Sequence, residues 1–156
     1  MRLSKVIGAF VMAISMAGPL MPVPTAFAEG EPIATTQQGT GKIRINVMSL
    51  KRTEGDTMTF RYTVINDNEE RVPDLSVRGD LIEIFDFVNR RKYSTSVAAT
   101  SNCDVPSQSQ KLCWSVFGAP KGNPKTLSVK FVAFISKEGR TAQEDFDIVS
   151  VPFSSD

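Results

Sequence analysis

From Lys42 onward, apolar and polar residues alternate with a period of two, which marks strands that bury one face. Ile43, Ile45 and Val47 alternate with Arg44, Asn46 and Met48. Met58, Phe60, Tyr62 and Val64 line one face of the next run, with Thr57, Thr59, Arg61 and Thr63 on the other. Leu127, Val129, Phe131, Ala133 and Ile135 give a second strong alternation. Val132 and Phe134 on its opposite face predict a central strand covered on both sides. Weaker runs cover residues 81–88, 93–98 and 146–153, the last with Pro152 near its edge. Leu112, Trp114 and Val116 also alternate, whereas residues 72–80 fit neither period. Turn chemistry separates the runs: Glu54-Gly55-Asp56, the polar stretch 66–70, the Gly- and Pro-rich stretch 118–124 and the polar stretch 137–145. Asn89-Arg90-Arg91-Lys92 reads as a hairpin turn, with the strand from Tyr93 returning beside residues 81–88. No stretch has the helical period, and no internal repeat occurs. About seven short strands with regular punctuation predict an all-β, immunoglobulin-like antiparallel β-sandwich. The antibody spacing of Cys, Trp and Cys is absent, since Cys113 and Trp114 are neighbours.

The chain before Lys42 is of another kind. Residues 1–5 carry two bases, Arg2 and Lys5, and no acid. Residues 6–21 are almost wholly apolar. Pro22 and Pro24 then precede Ala26-Phe27-Ala28, which sets small residues where a signal peptidase needs them. The apolar run is shorter than the roughly 20 residues a bilayer requires and is interrupted by Gly18-Pro19. The pattern predicts a signal peptide over 1–28, a flexible segment over 29–41 and one sandwich domain over 42–156, with no transmembrane segment once the signal peptide is removed.

Formal charge is +1 for the whole chain, and losing Arg2 and Lys5 brings it to about −1. A near-neutral domain of this kind gives no argument for nucleic acid or for an anionic membrane. Two cysteines, Cys103 and Cys113, form an even pair, which in an exported protein predicts a disulfide. The loop it closes is short and is worth about 2–3 kcal/mol on chain-entropy grounds. Their spacing is not that of a C-x-x-C redox pair.

Four stretches carry a resemblance: RTEGDTMTFRYTVIND, DFVNRRKYS, WSVFGAPKG and FDIVSVPF. Together they resemble a family of exported bacterial immunoglobulin-like domains of unassigned function, across roughly residues 50–153. The family joins a strand pair around a D-x-V-N-x-x-K-Y stretch, matched here by Asp86, Val88, Asn89, Lys92 and Tyr93. Its closing strand is matched loosely by Phe146, Val149, Val151 and Pro152. The resemblance implies fold and export, and brings no catalytic residue.

The chain has no histidine, which removes the Ser-His-Asp and Cys-His arrangements and most transition-metal sites. Glu83 and Asp86 are the nearest thing to a carboxylate pair, but their odd spacing puts them on opposite faces of a strand, as ordinary solvated acids. Residues 66–70, and separately Glu144, Asp145 and Asp147, are oxygen-rich without matching a calcium loop. Arg78-Gly79-Asp80 spells an adhesion tripeptide, although Gly79 more simply marks a turn. Trp114 is expected to pack on the disulfide in the core. No enzyme, metal or cofactor is expected. The candidate contact is the basic cluster at the hairpin, Asn89, Arg90, Arg91, Lys92 and Tyr93, whose guanidinium groups suit partner carboxylates. These residues predict a periplasmic or secreted module that binds another envelope or secreted protein. Two alternatives stay open: an inhibitor or immunity-type protein whose 103–113 loop plugs a partner enzyme, and a calcium- or glycan-binding domain.

Overall fold

The structure is a computed structural model, and it describes residues 30–37, 41–69, 74–95, 97–137 and 139–155. The expected signal peptide lies outside the described residues. Among the described residues, ten strands, all paired antiparallel, form two sheets, and no α-helix occurs. The first sheet runs in the order β1 (Ala34–Gln37), β2 (Ile43–Thr53), β3 (Thr57–Asn66), β8 (Ser109–Gly118). In the second, β9 (Thr126–Lys137) is central. β10 (Arg140–Pro152) covers one of its edges. The other edge is shared in succession by β5 (Glu83–Asp86), at Ser128–Lys130, and β4 (Asp74–Val77), at Ala133–Ser136. β6 (Arg91–Tyr93) extends β5, and β7 (Asp104–Val105) extends β4.

The strong alternations form the core. Ile43, Ile45, Val47, Met58, Phe60, Tyr62, Val64, Leu127, Val129, Phe131 and Ala133 are all buried. Phe131 of the second sheet lies 5.5 Å from Phe60 and 5.3 Å from Tyr62 of the first, so the inner faces of the two sheets meet in one aromatic centre. β9 is central as its two-faced pattern predicts, although Val132 and Phe134 on its outer face are only half-buried. Burial pushes the Tyr62 phenol up to about 12, against the opposing pull of the nearby Ser115 hydroxyl. The two hydroxyls close no hydrogen bond of good geometry.

Several expectations need correction. Residues 34–37 belong to the segment read as flexible, yet they form an edge strand, with Ala34 opposite Val47 and Gln37 opposite Arg44. An edge strand is held by backbone bonds and needs no apolar stripe, which is why ATTQ carries no apolar period of two. β10 begins at Arg140, inside the stretch read as a polar loop, because Gly139 at φ 75° permits a tight hairpin from β9. Leu112, Trp114 and Val116 face outward, while Cys113, Ser115 and Phe117 are buried. Cys113 has to face inward to reach Cys103, and in a strand that turns its neighbours out. Trp114 is therefore 42% exposed rather than packed in the core.

The expected disulfide between Cys103 and Cys113 is present. Cys103 directly precedes β7, in the second sheet, and Cys113 lies in β8, in the first, so the bond ties the two sheets together. The chain end is tied back as well. Ser154 accepts from Arg52 N–H at 2.8 Å and donates its N–H to Leu50 C=O at 3.0 Å. Arg52 donates to Asp56, Pro120 C=O and Gly122 C=O, and its guanidinium lies 6.0 Å from the Phe153 ring centre.

Candidate functional site

The candidate contact is built on β5 and β6, which pair Ile84 with Tyr93, Phe85 with Lys92 and Asp86 with Arg91. The four residues between them, 87–90, make the turn. This places the turn two residues earlier than the basic cluster predicted, and the reason is Asp86. Its side chain points inward and is 1% exposed, so it is not the solvated acid expected from sequence. It accepts hydrogen bonds from Val88 N–H at 3.1 Å, Asn89 N–H at 3.0 Å and the Asn89 side-chain amide at 2.7 Å. An aspartate that gathers the N–H groups two and three residues ahead fixes the turn immediately after itself. Burial works against the charge on Asp86. The bonds from Asn89 and Val88, with the nearby Arg91, outweigh it and hold the carboxyl below the usual carboxylate range.

The shift changes which side chains the turn presents. Asn89 is a brace, bound to Asp86. Arg91, Lys92 and Tyr93 lie in β6 rather than at the tip. Lys92 donates to Glu83 across the pair at 2.7 Å, and Tyr93 is half-buried with its hydroxyl enclosed. Of the five residues proposed from sequence, Arg90 and Arg91 remain directed at solvent, and Arg90 adopts φ 51°, in the left-handed region. Two residues the sequence reading missed take the tip itself: Phe87, 72% exposed, and Val88, 87% exposed. The Phe87 ring stacks on Phe85, with centres 6.1 Å apart and planes 11° from parallel. The signal for them was Asp86 with Asn89 three residues on, an Asx-type brace that turns Phe-Val outward.

The other candidate residues are bound into the fold. Gly79 lies in a 3₁₀ turn (Gly79–Leu81) and is buried. Arg78 and Asp80 pair with each other through two bonds of 2.8 and 2.7 Å, which raises the arginine and lowers the aspartate from their usual values. The adhesion tripeptide is therefore folded on itself. In the oxygen-rich stretch, the Asn66 side chain donates to Val105 C=O, and Asp67 pairs with Arg44 at 2.8 Å. Glu70 lies outside the described residues. Asp145 pairs with Lys130 at 2.7 Å on the face opposite the buried Phe146. Among the described residues, no three acids or cysteines gather as a metal site. In the disulfide loop, Gln108 sits at φ 56° and the Ser109 hydroxyl donates to Pro106 C=O at 2.6 Å.

Neither a protein-family model nor a curated protein matches the chain. The hairpin geometry therefore carries the functional reading alone.

Proposed function

We propose that the protein is a non-enzymatic, exported binding module of immunoglobulin-like type that grips another envelope or secreted protein with the β5–β6 hairpin. The observation that carries this reading is the pair Phe87 and Val88, held at the tip by the Asp86 brace beside Arg90 and Arg91. Scattered apolar residues on a surface are ordinary. Two in succession on a fixed turn, followed by two arginines, put an aromatic ring and guanidinium groups together, the residue types in which protein interfaces are enriched. A turn fixed before binding also loses less entropy on docking. The complementary partner surface is an apolar pocket rimmed by carboxylates. The disulfide supports export, because such bonds persist in oxidising compartments. Two antiparallel sheets meeting on one core support the immunoglobulin-like reading.

The test is capture of partners from envelope and culture-supernatant extracts on the immobilised oxidised protein, run beside three variants. Phe87→Ser should abolish retention of a stoichiometric partner, and Arg90→Gln with Arg91→Gln should weaken it and make it less sensitive to salt. Replacing Ser107, Gln108 and Ser109 with glycines should change nothing. Loss of the partner in the glycine variant alone would instead favour the plug-like 103–113 loop of an inhibitor.

A further inference from the structure

We infer that the outer face of the four-stranded sheet binds an acidic polysaccharide, with Trp114 as the stacking platform and Arg61 and Lys51 as the carboxylate receptors. This face belongs to the sheet that does not carry the hairpin, so the inference is independent of the protein-binding reading. The strand register sets Ser49, Arg61 and Trp114 in one cross-strand row, and Lys51, Thr59 and Val116 in the next. Between the rows lies a shallow concavity of about 260 Å³, lined by Ser49, Lys51, Thr53, Thr59 and Arg61. It carries two cations, three hydroxyls and no carboxylate. Among the described residues, neither the Arg61 guanidinium nor the Lys51 ammonium makes a hydrogen bond or an ion pair, whereas the side chains of Arg44, Arg52, Arg78, Lys92 and Lys130 are all paired.

Trp114 is held where it can serve. Its N–H donates to the Ser101 hydroxyl at 2.8 Å, and its C=O accepts from Ser101 N–H at 2.9 Å. The backbone is fixed while the indole stands exposed beside Leu112. An indole offers a flat apolar surface to the C–H face of a sugar ring, and its N–H remains a donor. Serine and threonine hydroxyls match sugar hydroxyls, and a guanidinium receives a uronate carboxylate through two bonds. An open, shallow site suits an extended chain better than a compact small molecule, which asks for enclosure. Nucleic acid fits less well. Two cations give a small counterion-release contribution, and one ring stacks one base where single-strand binders offer several.

The sequence holds one tryptophan, so intrinsic tryptophan fluorescence reports on this face alone. Titration with oligogalacturonate should give a saturable change in emission, and a neutral maltooligosaccharide of equal length should give little. By calorimetry, Trp114→Ala should weaken binding about tenfold or more, and Trp114→Phe less. Arg61→Gln and Lys51→Gln should each weaken it about fivefold and flatten its salt dependence. Melting temperatures confirm that each variant is folded, and Phe87→Ser should bind oligogalacturonate like the parent protein. Three results overturn the proposal: no emission change with oligogalacturonate, an equal response to the neutral sugar, or affinity unchanged in folded Arg61→Gln. Tighter binding of oligothymidylate than of oligogalacturonate also overturns it and makes the face a single-strand site.

Discussion

A carboxylate taken out of water is costly unless its charge is answered, and Asp86 is answered by three N–H donors and a nearby guanidinium. Asp86→Ala should lower stability by about 1–3 kcal/mol, read as a shift in the urea midpoint, because it strands the turn's donors. The carboxyl is held below its unfolded value, so its contribution is present above that value and fades as pH falls through the lower folded value. Asp86→Asn should keep much of the turn at neutral pH and lose part of the stability difference between neutral and acid conditions. Some acid dependence will remain, because Asp80 and Asp145 are lowered by Arg78 and Lys130. An Asp86→Asn midpoint that tracks the parent at every pH would contradict this account. Tyr62 makes the opposite case. The unfolded phenol ionises near 10.0 while the folded one keeps its proton to about 12, so stability falls across that window. The fall amounts to about 2–3 kcal/mol. Tyr62→Phe should remove that alkaline loss and leave stability near neutral pH unchanged or slightly higher, since the hydroxyl has no good partner to lose. An alkaline melting curve that survives the substitution would assign the loss to other groups.

At the scale of the element, what the sequence discloses depends on whether the period of two runs unbroken. β3 and β9 keep it, and their inner faces were legible residue by residue. β2 does not. Its pairing slips between Val47 and Ser49, so inward positions pass from odd numbers to Leu50. β10 slips likewise between Ile148 and Val151, where Ser150 takes φ 65°. A bulge adds one residue and inverts every face beyond it, and nothing in local composition announced either one. The parity of β8 was concealed for another reason. Leu112, Trp114 and Val116 outweigh Cys113, Ser115 and Phe117 in apolar bulk, and the covalent partner of Cys113 lies outside the strand's own pattern. The tip of the β5–β6 hairpin was hidden because a run of basic residues resembles a turn more than Phe-Val does, while the buried carboxylate decides the matter. Within the stretch that fitted neither period, Asp74–Val77 form a short strand and Gly79 opens the 3₁₀ turn Gly79–Leu81. In that turn, a Cβ added to Gly79 would stand 2.7 Å from the Thr100 Cβ and 3.1 Å from the Ser115 hydroxyl. Gly79→Ala should therefore cost about 1–3 kcal/mol through displaced neighbours. A thermal melt equal to the parent's would show that this contact yields freely.

At the scale of the whole molecule, two sheets share one core and are joined covalently at one point. The all-β class, the location of most strands and the presence of the cross-link could be read from sequence, because each rests on local pattern or on counting cysteines. That the bond spans the two sheets could not, since it depends on β7 joining β4 and β8 joining β3. Replacing both Cys103 and Cys113 with serine should lower stability by about 2–3 kcal/mol, measured by denaturant unfolding against the oxidised parent. If the double variant is as stable as the parent, the unfolded chain gains no freedom from losing the bond. The same bond sets how the molecule answers a mechanical load. A pull on the two chain ends bypasses the residues between the cysteines, whose Cα atoms stay 5.8 Å apart across 10 positions of sequence. Oxidised molecules stretched singly should stop about 30 Å short of the extension that reduced ones reach. Two populations of contour length would then report the redox state of each molecule as it unravels.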